Sequence, residues 1–226
     1  MTSTLFGPID AVLDEKSMLK HPFYQDWNEG KLSREALKQY ACQYHHFVSG
    51  FARVISAVHS NTPDPVVRQE LLESLREEEE GPENHPALWR RFARALGATD
   101  EEIASTVPLP TTAALVSTMQ DDARNGSFQE GIATIYAYES QVPGVSRTKI
   151  DGLARFYDIS DEKDIEFFTV HEEIDTRHAK SERELLASIT TPDMESRVQQ
   201  AASRTANALW GFLDGVHENY VVKSAA

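Results

Sequence analysis

The stretch His-Glu-Glu-Ile-Asp-Thr-Arg-His at residues 171–178 concentrates more potential chemistry than any other in the chain. His171, Asp175 and His178 stand at positions i, i+4 and i+7. At about 100° per residue, a helix gathers their side chains within roughly 60° on one face. Phe168 precedes them on that face, and Leu185 and Ile189 follow. Two imidazoles and a carboxylate thus interrupt an apolar stripe for two turns. Buried bare, such groups would cost several kcal/mol, so they need partners. A metal ion is a natural one, because sets of two histidines and a carboxylate suit iron and related metals. The competing reading is a solvated helix face that happens to carry two histidines.

Further donors must come from other helices, as in dinuclear carboxylate sites built inside helical bundles. Glu139 shares a helix face with Ile132, Ile135 and Tyr136, where a carboxylate is out of place unless paired. Glu78 and His85 flank a Gly81-Pro82 break. Periodicity does not separate Glu78 from Glu79, and the four glutamates 77–80 on their own read as a solvated face. Together these positions offer three carboxylates and three histidines, a set suited to two divalent ions. Two such ions would leave a residual positive charge for an oxygen-derived anion. His45, His46, His59 and His217 lie at helix positions without an identified carboxylate partner and are read as structural.

The elements that must position these groups are all helical. Short helices are expected over 9–19 and 21–27. Ser33 is a plausible cap for a long helix whose stripe runs through Leu37, Tyr40, Tyr44, Phe47, Phe51, Val54 and Val58. Thr62-Pro63 opens the next helix, which Gly81-Pro82 ends. Another starts at Asn84-His85-Pro86 and closes at Gly97. Thr99 with Glu102, and Ser127 with Glu130, form capping boxes. Helices over about 113–123 and 146–157 follow the same logic, with Pro143-Gly144 breaking the one that carries Glu139. Ser160 is expected to cap the helix bearing residues 171–178, and Thr191-Pro192 to open a last long helix. No segment alternates with period two for long enough to be a strand, so the expected architecture is a single all-α domain over residues 1–226.

Composition bounds the function. A chain of 226 residues can bury one sizeable core. A net charge of −14 argues against nucleic acid or an anionic membrane as a main partner. The lone Cys42 excludes an internal disulfide and fits a reducing cytoplasm. Residues 1–18 lack a basic segment followed by an apolar core, and no apolar run approaches the roughly 18 residues of a membrane span. The expectation is a soluble cytoplasmic protein.

Four stretches carry a family resemblance: HPFYQDWNEGKLSREALKQYA (21–41), EEEEGPENHPALWRRFARALG (77–97), YAYESQVPGVSRTKI (136–150) and HEEIDTRHA (171–179). They resemble the chlamydial protein associating with death domains and its bacterial relatives, which belong to the haem-oxygenase-like dimetal oxidases. The pyrroloquinoline-quinone synthesis and TenA families lie close by. The resemblance implies a seven-helix haem-oxygenase-like bundle that binds no haem and forms a homodimer. Carried over position by position, it places the metal ligands on Glu78, His85, Glu139, His171, Asp175 and His178, holding two irons or one iron and one manganese. The run of four glutamates departs from the family's usual acidic pair followed by a neutral residue.

The resemblance further implies formation of para-aminobenzoate for folate synthesis, with O2 as cosubstrate and an external reductant. In that reaction the protein's own tyrosine supplies the aromatic ring. The matching positions are Tyr24 and, for amination, Lys149, with Tyr40 and Tyr138 as neighbouring aromatics able to share oxidising equivalents. Three other readings compete: a dimetal oxidase turning over a diffusible small molecule, a metal-free relative like the quinone-synthesis or thiamin-salvage proteins, against which the six-ligand set argues, and a non-enzymatic module binding death domains.

Overall fold

The structure is a computed structural model that describes residues 5–189 and 191–223. Among these, eleven α-helical segments and no strand occur: α1 (Phe6–Glu15), α2 (Pro22–Asn28), α3 (Arg34–Asn61), α4 (Pro65–Glu79), α5 (His85–Ala95), α6 (Asp100–Ser105), α7 (Pro110–Asn125), α8 (Phe128–Glu139), α9 (Val142–Phe156), α10 (Glu166–Ala187) and α11 (Pro192–His217). The count exceeds the expected seven because glycine, proline and short turns divide the chain into additional short pieces. α2 and α6 have only seven and six residues. No helix among the described residues is long and apolar enough to cross a membrane.

Most helix starts follow the caps expected from sequence. The Ser33 hydroxyl accepts from the Ala36 N–H, and the Thr99–Glu102 and Ser127–Glu130 boxes both close reciprocally. The first helix spans Phe6–Glu15 rather than 9–19, with Met18–Lys20 forming a separate 3-10 turn, and three expected caps or breaks also differ. Asp64, not Thr62, caps α4, because its carboxylate reaches the Val66 N–H with Pro65 in the first turn. Pro143 lies inside the first turn of α9, where its missing N–H is harmless, so the helix begins at Val142. α10 starts at Glu166 without a side-chain cap, and Ser160 lies well before it. His21, passed over in the sequence, caps α2: its Nδ1 accepts from the Phe23 N–H while Nε2 pairs with Asp214.

α3 is the spine. It packs against α4, α5, α7 and α8, while α11 lies along α7 and α8, and α10 along α8 and α9. The expected aromatic stripe of α3 is buried from Leu37 to Val58. Close crossing needs small residues: a Cβ on Gly131 would come within 2.5 Å of Val58, and one on Gly152 within 2.6 Å of the Trp27 ring. α8 therefore sits hard against α3, and α9 against α2. These approaches carry the ends of α4 and α8, the start of α5 and the middle of α10 into one buried region.

Candidate metal centre

Two groups of three donors converge inside the bundle. Glu78, His85 and His171 form one, and Glu139, Asp175 and His178 the other; within each, one donor atom per residue lies within 4.8 Å of the others. These are the six positions singled out from the sequence.

The α4–α5 turn settles which glutamate of the acidic run points inward. Glu78 is 6% exposed and His85 4%, and the His85 Nδ1 lies 2.8 Å from the Glu78 Oε1. Glu79 and Glu80 are exposed. The Asn84 side chain accepts from the Ala87 N–H, which starts α5 with His85 aimed back at α4. On α10, the His171 Nδ1 lies 2.6 Å from the Phe167 carbonyl. A carbonyl can only accept, so Nδ1 carries the hydrogen and Nε2 keeps a free lone pair, the arrangement of a metal-binding histidine. The His85 and His171 rings lie 4.2 Å apart, and burial with this neighbour holds the His171 pKa well below the usual range.

In the second group, the His178 Nδ1 stands 3.3 Å from Glu139 and its Nε2 3.0 Å from Glu77. Glu77 is in turn bonded by Arg177, 2.7 Å away. Burial opposes protonation of His178, but Glu139 and Glu77 outweigh it and push its pKa up to about 10. Asp175 is 3% exposed, and burial together with Glu139 pushes its carboxyl well above the normal range. The Oδ2 of Asp175 is buried without a hydrogen-bond partner. Buried carboxylate oxygens are normally satisfied, and a divalent cation would satisfy this one. The donor chemistry and this orphaned oxygen fit a pair of metal ions.

Glu77 and Glu182 were not singled out in the sequence. Glu77 backs His178 as the carboxylate that would fix its tautomer and orientation. Glu182 follows His178 by four residues and Asp175 by seven, so it continues the polar face of α10 where apolar residues are expected to resume. That spacing was the available signal.

The sequence-derived aromatic residues meet next to this region. The Lys149 Nζ donates to the Tyr40 hydroxyl at 2.7 Å, and the Tyr40 and Tyr24 hydroxyls lie 3.1 Å apart. Tyr40 stacks on Tyr44 with ring centroids 5.6 Å apart, and the Tyr44 hydroxyl donates to Tyr138 at 2.9 Å. Tyr138, Glu78 and His171 share the wall of a void of only about 10 Å³, roughly one water molecule. Tyr44, read in the sequence as ordinary core, thus links Tyr40 to Tyr138. Burial raises the pKa of all four phenols, so each stays protonated.

Lys149 is 4% exposed and ringed by aromatic side chains, with its Nζ 5.0 Å from the Phe168 centroid and 5.4 Å from that of Tyr24. Burial pushes its pKa down to about 7. Between pH 7 and the unfolded value of 10.5, the unfolded chain binds the extra proton, so Lys149 makes stability rise with pH over that window. Replacing it by methionine removes the penalty. Urea unfolding of metal-free Lys149→Met at pH 7 is expected to show a gain on the order of 2–4 kcal/mol and a flatter pH dependence from 7 to 10.

Comparison with known proteins places this geometry in a family. The model of the family described as iron-containing redox enzymes matches residues 38–210. A 4-aminobenzoate synthase from Nitrosomonas europaea is 44% identical over 229 aligned positions, covering 97% of this chain and 93% of the relative. A 4-aminobenzoate synthase from Chlamydia muridarum is 38% identical, covering 93% of this chain and 89% of the relative. A pyrroloquinoline-quinone synthase from Acinetobacter baylyi is 23% identical, covering 100% and 91%. Among solved structures, a TenA homologue from Pseudomonas syringae superposes with a TM-score of 0.82 at 18% identity, covering 95% of this chain and 91% of that one. The fold is therefore the haem-oxygenase-like helical bundle of the TenA proteins, and the chain belongs to the family of iron-containing redox enzymes.

Proposed function

We propose that the chain forms 4-aminobenzoate by O2-dependent cleavage of its own Tyr24 side chain, with Lys149 assisting the amination. The observation that carries this reading is the buried, hydrogen-bonded run Lys149–Tyr40–Tyr24, joined through Tyr44 to Tyr138 at the edge of the six-donor region. The relatives named 4-aminobenzoate synthase support the product class. Glu78, His85 and His171 would hold one metal ion and Glu139, Asp175 and His178 the other. Two irons, or iron with manganese, would supply the electrons that activate O2, with an external reductant.

The chain's own residues set up the rest. Tyr24 is 1% exposed, so water is excluded from the ring to be cut. Oxidising a phenol releases a proton as well as an electron. The Tyr40 hydroxyl relays that proton, and a neutral Lys149 amine accepts it. The same amine, when neutral, is also nucleophilic. The void beside Glu78 and His171 is about the size of one water molecule, far too small for a free aromatic substrate, whose sites usually span about 300 Å³ or more.

A second reading is a multiple-turnover oxidase acting on a diffusible small molecule. It is favoured by the relatives named pyrroloquinoline-quinone synthase. The two readings separate on the origin of the ring. Protein made with ring-labelled tyrosine is loaded with Fe(II), with and without Mn(II), then given O2 and reductant in unlabelled medium. The proposal expects fully labelled 4-aminobenzoate at no more than about one per chain. Unlabelled product, or many turnovers, would move the assignment to the second reading.

A further inference from the structure

α4 and α10 leave between them a cavity of about 180 Å³, which reaches from solvent to the second donor group. Glu70 and Glu73 stand exposed on its wall, and Glu182 and His178 line it where the side chains are buried or nearly so. The Ser181 hydroxyl donates to Glu70 at 2.6 Å and holds that carboxylate in place. Arg177 also lines the space, but its guanidinium is turned to Glu77. Glu182 is 8% exposed, and its Oε2 has no hydrogen-bond partner.

Leu71, Ile132 and Leu185 also line the cavity, but neither O2 nor an aromatic molecule would use the carboxylates beside them. Carboxylates running from an exposed mouth to a buried, unpartnered one suit a divalent cation, which can exchange its waters for oxygen ligands a few at a time. Glu182 stands one helical turn beyond His178 on the same face of α10, between the mouth and the donors.

We propose that this cavity is the entry port for the cation that occupies the Glu139–Asp175–His178 group, with Glu182 as the relay that takes the ion from the mouth, passes it inward and does not remain a ligand. The inference rests on the proposed reading of the two donor groups as metal sites.

The test is rapid mixing of metal-free protein with Co(II), followed by visible absorption, alongside an equilibrium count of bound Co(II). Wild-type protein is expected to take up two ions. Glu182→Gln is expected to slow one of the two uptake phases by about tenfold or more, with two ions still bound at equilibrium. The double variant Glu70→Gln/Glu73→Gln, altered only at exposed positions, is expected to slow the same phase by roughly threefold and to flatten its dependence on ionic strength. Wild-type uptake of no cobalt would overturn both the two-site reading and the port. Two ions in the wild type with unchanged kinetics in both variants would overturn the port alone. Loss of one ion at equilibrium in Glu182→Gln would make Glu182 a resident ligand and overturn the relay.

Discussion

Phenylalanine at position 24 is expected to abolish 4-aminobenzoate formation while the protein still folds and binds both metal ions. Tyr24 is buried, and its hydroxyl makes a single hydrogen bond, to Tyr40. A phenyl ring fills the same space. Tyr40 keeps its bond from Lys149, so the substitution orphans no buried group. The loss is one neutral hydrogen bond, about 1 kcal/mol of stability. The phenol oxygen is what makes the ring oxidisable, and without it the product falls from about one per chain to none. Quantifying 4-aminobenzoate by mass spectrometry, beside metal content and a melting curve, checks all three expectations. Wild-type yield from Tyr24→Phe would show that the ring comes from elsewhere.

The second large effect concerns Asp175. Its carboxyl is buried among Glu139, Glu78 and Glu77, with one oxygen unpartnered, and its pKa is raised well above the usual value. A raised carboxyl pKa means that the folded state binds the proton more tightly than the unfolded chain. Its contribution to stability is present below the ordinary carboxylate pKa and is lost as pH rises through the folded value. At pH 7 the metal-free protein therefore carries a penalty that Asp175→Asn removes, a stabilisation on the order of 1–3 kcal/mol. The same change is expected to weaken one of the two metal sites by roughly 100-fold, about 3 kcal/mol. Chemical denaturation of metal-free protein and a metal titration measure the two effects. A variant that loses stability without metal, or keeps both ions with full affinity, would contradict the assignment of Asp175 as a cation ligand.

How much of this was legible in the sequence depended on locality. His171, Asp175 and His178 lie on one helix, so the 3.6-residue period alone puts them on a common face. Glu139 betrays itself as a carboxylate in an apolar stripe. Glu78 and His85 are separated by a turn whose backbone geometry no periodicity encodes; the family resemblance points to Glu78, and the folded α4–α5 connection shows it turned inward. The capping boxes at Thr99 and Ser127 are legible because both partners lie within four residues. The start of α10 is not, because no side chain caps it and its position is set by packing. Tyr44 and Glu77 escape for the same reason as the division of donors into two groups: their roles come from partners on other helices, whereas Glu182 is marked by its spacing from Asp175 and His178 on α10. Burial of Lys149 is equally tertiary, since its own helix exposes nothing that marks it as different from a surface lysine.

Intact-protein mass spectrometry before and after reaction tests the central claim most directly. Protein loaded with two metal ions is exposed to O2 and reductant, and its mass is compared with that of a metal-free control, with peptide mapping to locate any change. Loss of side-chain mass confined to Tyr24, in proportion to the 4-aminobenzoate released, is the predicted result. An unchanged Tyr24 in protein that holds both ions and continues to consume O2 would contradict it.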